Sequence, residues 1–187
     1  GLAHVGSRFS ALQGYERRPV TQVTWDAAAA YCAAHGKRLP TEAEWEFAAR
    51  GMASNRFPWG FEEPRCDGVV ISRNKGQACA QAGLGPATVG TATQDRSPQG
   101  VFDLAGNVAE WVQDSFDARY KACNDGPCVD PLVTTKPSPP HPELRMVRGS
   151  DWSALAVFGR AAARSRLPHD RTAGNIGFRC ARSKSRS

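Results

Sequence analysis

The 187-residue chain carries 24 Lys and Arg against 18 Asp and Glu, for a formal net charge of +6, with 41% hydrophobic residues, 18 Gly and 13 Pro. That length suits one buried core rather than two, and the Gly and Pro content favours turns and loops over a bundle of long helices. The basic residues are scattered except from Arg179 to Arg186, which describes a solvated surface and no nucleic-acid footprint, and no run approaches the roughly 20 apolar residues of a membrane span.

The N-terminus lacks the charged-then-apolar pattern of a signal peptide, so the chain reads as a mature protein or an excised fragment. Residues 1–18 are polar and aperiodic, a lead-in or peripheral strand ahead of a single domain over 19–183, with 184–187 as a tail. Val20 and Val23 alternate with polar neighbours, and Thr24 is placed to cap a helix from Trp25 to about His35 that Gly36 ends. Thr41-Glu42-Ala43-Glu44 has the form of a capping box, in which the Thr hydroxyl and the Glu carboxylate satisfy each other's backbone amides. It opens a second helix, Glu42 to Arg50, stopped by Gly51.

From Gly51 to Gly100 the sequence is rich in Gly, Pro, Asn and Ser, with short apolar runs such as Val69-Val70-Ile71, which predicts long ordered loops with brief strands. Gly100 to Val112 is dense in apolar residues with carboxylates set among them, and residues 117–144 form an excursion loop before the C-terminal strands. Six cysteines at 32, 66, 79, 123, 128 and 180 include no Cys-x-x-Cys pair. An even number without zinc spacing points to disulfides and an oxidising, extracytoplasmic compartment.

Three blocks share one resemblance. Trp25-Asp26 through Tyr31-Cys32 with Gly36 to Gly51, Gly100 to Trp111 with its Gly-Asn-x-x-Glu-Trp core, and Arg148-Gly149-Ser150-Asp151-Trp152 through Gly177-Phe178-Arg179-Cys180 resemble the formylglycine-generating, sulfatase-modifying family. The resemblance implies an α+β, C-type lectin-like fold of the formylglycine-generating-enzyme type, with two helices, short twisted antiparallel strands and much irregular loop. It also implies a structural calcium site at Asp103, Gly106, Val108 and Glu110, whose carboxylates and carbonyls are the hard oxygen ligands calcium takes. The other reading of Asp103 and Glu110 is turn capping or pairing with arginines. A second calcium site of the family falls near Asp67 and Gln81, where Cys66 and Cys79 suggest a local disulfide instead.

The resemblance further pairs Cys32 with Cys180, leaving Cys123 and Cys128 to close a small turn. Catalytic members of the family hold copper(I) on two thiolates in the closing segment, yet no cysteine stands between Arg148 and Arg179. No copper is therefore expected, and no catalytic residue is assigned. Ser150, Asp151, Trp152, Ser153, Leu155, Val157, Phe158, Arg166 and His169 fall along the segment that lines the ligand groove in relatives, whereas Arg148, Arg160, Arg164 and Arg179 read as structural ion pairs.

The implied function is a non-catalytic module that binds a protein, peptide or small-molecule ligand through the 150–170 surface, in recognition or signalling. Related domains are fused to kinases or proteases, so fused or associated domains are expected, and nucleic-acid binding and membrane insertion are not. The alternative is an enzyme of the same fold with an altered active site, a formylglycine-generating oxidase relative or a metal-dependent tailoring oxidoreductase.

Overall fold

The two helices begin and end where local chemistry places them. In the computed structural model, which describes residues 2–5, 8–119, 128–135 and 143–183, α1 spans Trp25–Ala34 and the Thr24 hydroxyl accepts from the Ala27 amide at 3.1 Å. Helix α2 spans Glu42–Arg50, with both halves of the capping box made: Glu44 N to Thr41 Oγ1 at 3.2 Å and Thr41 N to Glu44 Oε2 at 2.8 Å. Asp114, fully buried, caps the same helix from outside by accepting from the Glu42 amide at 2.7 Å.

Strands β1 (Leu2–Val5) and β2 (Arg8–Ala11) pair with each other. The main sheet has four strands: β3 (Ala109–Ser115), β4 (Leu144–Arg148), β5 (Arg164–Pro168) and β6 (Ile176–Phe178). Its order is β5-β4-β3-β6, and it is mixed, since β6 runs parallel to β3 while the other pairings are antiparallel. The register between β3 and β4 shifts between Trp111 and Ser115, and beyond that point Gln113 N turns to Pro40 O and Ser115 N to Val133 O. The expected brief strands between Gly51 and Gly100 are replaced by loop, a 3₁₀ turn at Ala80–Ala82 and isolated bridges such as Phe57↔Gly60. Val69, Val70 and Ile71 are buried there without entering the sheet.

Alternation along the strands assigns each helix a face. Ala109, Trp111, Val147, Ile176 and Phe178 pack with Ala28, Cys32 and Leu39 beneath α1. Val112 and Met146 point the other way, onto Trp45 and Ala49 of α2 and onto Leu104. A sheet covered on both sides makes Trp111 and Trp45 core residues at 0% and 1% exposure, each worth about 3–5 kcal/mol on truncation to Ala. Their indole N–H groups are satisfied, Trp111 donating to Val23 O at 3.0 Å and Trp45 to Glu110 at 2.8 Å.

Disulfides Cys32–Cys180 and Cys66–Cys79 are formed, with Cα atoms 5.6 and 5.0 Å apart. The first joins α1 to the segment after β6, as the resemblance implied. Cys128 is also disulfide-bonded, whereas Cys123 lies outside the described residues.

Candidate ligand groove

The groove begins where β4 ends. Gly149 has φ +75, and a Cβ there would lie 2.9 Å from Leu104 O and 3.1 Å from the Trp45 ring, so only glycine lets the chain turn off the sheet at this point. Asp151 then fixes the turn: Oδ1 accepts from Ser153 N at 2.7 Å and from Ser153 Oγ at 2.5 Å, and Oδ2 accepts from Asn175 Nδ2 at 2.9 Å. The next residues are held by the 72–77 loop, through Arg73 N to Trp152 O at 2.7 Å, Ser72 N to Ala154 O at 2.9 Å and Gln77 Nε2 to Ser153 O at 2.9 Å. Cys79 N also donates to Ser72 O at 2.9 Å. The Cys66–Cys79 bridge thereby braces the wall of the groove.

A cavity of about 190 Å³ opens here, its walls including Ser150, Asp151, Phe158, Ser165, Asn175 and Ile176. That is below the roughly 300–1,000 Å³ of small-molecule pockets, and suits one inserted side chain. Ser150 Oγ and Trp152 Nε1 are buried with no hydrogen-bond partner in the protein. Such a group costs about 1–3 kcal/mol if it stays unsatisfied, and Ser150, the bearer of one of them, is among the residues that line the cavity. Outside, the 3₁₀ turn Ala156–Gly159 forms a lip on which Leu155, Val157 and Phe158 are 55%, 43% and 56% exposed.

Two of the nine residues that the sequence assigns to the groove, Arg166 and His169, lie elsewhere. The Arg166 guanidinium lies 4.5 Å from the Phe116 ring centroid, and His169 Nδ1 is 2.7 Å from Asp26 Oδ2 on α1. Both sit beyond the cavity because β5 carries them along the sheet edge. Conversely, Ala109, Asn175 and Ile176 belong to the cavity and carry no local signal, since only the parallel pairing of β6 with β3 brings them in.

Three of the four arginines read as ion pairs form them. Arg148, wholly buried, reaches Glu46 at 2.7 Å and Glu42 at 3.3 Å, and donates to the Ala161 and Ala163 carbonyls at 2.8 and 3.0 Å. Arg164 binds both oxygens of Glu42, at 2.6 and 2.9 Å. Arg179 binds both oxygens of Glu110 at 2.6 Å and donates to the carbonyls of Phe102 and Asp103 at 3.0 and 3.3 Å. Arg160 differs: its Nε donates to Val157 O at 3.0 Å, and it meets no carboxylate among the described residues.

Three of the four residues implied as calcium ligands, Asp103, Val108 and Glu110, line a cavity of about 310 Å³ together with Asn107 and Arg179. Calcium takes 6–8 oxygen ligands. Here the Glu110 carboxylate is engaged by Arg179 and Trp45, and Asp103 Oδ2 accepts from Gly90 N at 2.7 Å. Asp103 Oδ1 is the buried carboxylate oxygen left without a partner. Gly106 is pressed against Val70 O, 2.6 Å from its Cβ position. The set as arranged does not fit a calcium ion, because the Arg179 guanidinium already supplies the positive charge. No group of three or more His, Cys, Asp and Glu among the described residues is placed to hold a metal. Asp95, fully buried behind this cluster, accepts from Ala105 N with both oxygens, at 3.1 and 2.9 Å, and burial pushes its carboxyl up to about 7, with the Asp103 charge adding to the shift. Burial also raises Asp103.

The fold and groove define an α+β domain of the formylglycine-generating type, with no cysteine between Arg148 and Arg179. The sequence profile described as a sulfatase-modifying factor enzyme 1-like domain matches residues 3–184, and the chain belongs to that family. It is 37% identical over 181 residues to a formylglycine-generating enzyme of Streptomyces coelicolor, covering 92% of this chain and 55% of that protein. It is also 34% identical over 171 residues to the inactive C-alpha-formylglycine-generating enzyme 2 of Bos taurus, covering 87% and 50%. The chain thus spans about half the length of these curated relatives. PvdO from Pseudomonas aeruginosa has the same fold, with a TM-score of 0.72 at 24% identity over 95% of this chain and 66% of PvdO.

Proposed function

We propose that this domain is a non-catalytic binding module that takes a side chain of a protein or peptide partner into the Ser150–Asp151 cavity and seats the partner's apolar surface on Leu155, Val157 and Phe158. The observation that carries this reading is the combination of a side-chain-sized cavity, a buried unpartnered Ser150 hydroxyl and three exposed apolar residues on one lip. Exposed aromatic and aliphatic anchors beside a recess are what binding hot spots are built from. Hydrogen bonds tie residues 152–154 to the 72–77 loop, which supports a preorganised surface for a partner. The disulfides support an extracytoplasmic setting.

Chemistry of the oxidase type is outside this reading. Copper(I) needs soft thiolate ligands, and the described cysteines are all bonded. Two measurements test the proposal. A peptide-display selection should return binders to the native domain that a Leu155→Ser, Val157→Ser, Phe158→Ser variant does not hold; equal retention sinks it. Metal analysis of the purified protein showing stoichiometric copper or iron would move the domain to the enzyme reading.

A further inference from the structure

On the far side of Ala163 from the Ser150 cavity runs a second groove of about 420 Å³, lined by Arg50, Ser54, Asn55, Arg56, Phe61, Arg160, Ala162 and Ala163. Its construction is local. Helix α2 ends at Arg50, Gly51 adopts φ +62 with its N–H bonded to Phe47 O, and Asn55 N returns to Arg50 O at 3.1 Å. The Ala161 N–Arg56 O bond at 2.9 Å then sets Arg56 beside Arg160 in the turn that precedes β5.

Three guanidiniums line this groove, and their compensation is incomplete. Arg50 shares Glu46 with buried Arg148, so that Arg50, Arg148 and Arg164 together face the two carboxylates of Glu42 and Glu46, and Arg50 Nε is buried without a partner. Arg56 lies 4.9 Å from the Phe57 ring centroid, and its one carboxylate among the described residues is Glu63, itself 71% exposed; pairs of that kind contribute about 0–1 kcal/mol, so an incoming acid displaces Glu63 easily. Arg160 has no carboxylate among the described residues. Guanidinium forks match carboxylates two hydrogen bonds at a time. Phe61, 67% exposed, adds an apolar side to the groove.

We infer that this groove binds the carboxylate side chains of an acidic peptide segment, which flanks the residue entering the Ser150 cavity. The partner is therefore an acidic stretch of protein with an apolar residue beside it. The site deepens the proposed function and rests on it for the neighbouring anchor, but the groove itself is testable alone.

The test uses a fluorescein-labelled peptide alternating Glu and Gly, its Gln counterpart, and fluorescence anisotropy at low ionic strength. The Glu peptide should bind and the Gln peptide should not. Arg160→Gln with Arg56→Gln should weaken binding about tenfold or more, as loss of paired charges at an interface does. Arg171→Gln, exposed on another part of the surface, should leave it near the native value. The Leu155, Val157 and Phe158 variant should still bind the Glu peptide, which separates failure of this site from failure of the apolar lip. The inference is overturned if the Gln peptide binds equally well, or if Arg171→Gln weakens binding as much as the groove variant. Inorganic phosphate displacing the peptide at equal concentration would overturn it too, by identifying a small-oxyanion site.

Discussion

The arginines on the two sides of the closing segment have opposite roles. Arg148 is wholly buried among carboxylates, carbonyls and the Trp45 ring, its Cζ 5.1 Å from the centroid, and Arg179, 31% exposed, is held by both oxygens of Glu110. Arg160 is exposed and meets no carboxylate among the described residues, and exposed Arg56 is paired with Glu63, which is itself 71% exposed. Charge type alone does not mark a structural arginine; what marks it is whether the fold supplies the counter-charge.

Arg148 is the arginine on which the fold depends most. Arg148→Ala leaves Glu42, 1% exposed, without one of its two cations, and should cost about 3–5 kcal/mol in urea unfolding. A loss below about 1 kcal/mol would place that arginine with the surface pairs.

The Glu110–Arg179 cluster offers the next test. Asp95 is held near 7 in the fold and titrates near ~3.9 when unfolded, so the native state keeps a proton the unfolded chain has lost. Stability should therefore fall as pH rises from about 4 through 7. Asp95→Asn should flatten that slope and melt higher than the native protein above pH 7; an unchanged slope would remove Asp95 as its cause. A smaller effect is expected from calcium. With Glu110 closed by Arg179, calcium and chelator should give melting temperatures within about 1 °C, and a rise of several degrees that Asp103→Ala abolishes would restore the calcium site.

Smallest of all is the stability effect of Arg160→Gln, expected within about 0.5 kcal/mol by the same unfolding measurement. Its effect belongs to binding.

How much was legible followed the range of the forces involved. Both helices could be placed from sequence because Thr24, the Thr41–Glu44 box and Gly51 act over one turn. The Cys32–Cys180 pairing came with the family resemblance and not from spacing. Val69-Val70-Ile71 has the composition of a strand, but Val70 O accepts from Asn107 N in a loop-to-loop contact, and apolar runs do not announce whether their burial comes with a ladder. Seven of the nine chosen groove residues lie on the turn and lip, yet His169 was drawn to Asp26 by the way β5 runs past α1. Arg160 could not be told from Arg148 because the deciding carboxylates sit on α2, more than a hundred residues earlier in the chain.

Glu42 gives this architecture a modular character. Arg148 closes β4 and Arg164 opens β5, they face each other in the register, and both guanidiniums reach the same Glu42 carboxylate. Everything from Gly149 to Ala163 is therefore a cassette whose two stems are tied off on one helix residue. Leu155, Val157 and Phe158 project from that cassette as exposed apolar side chains, outside the arginine–carboxylate ties that close it.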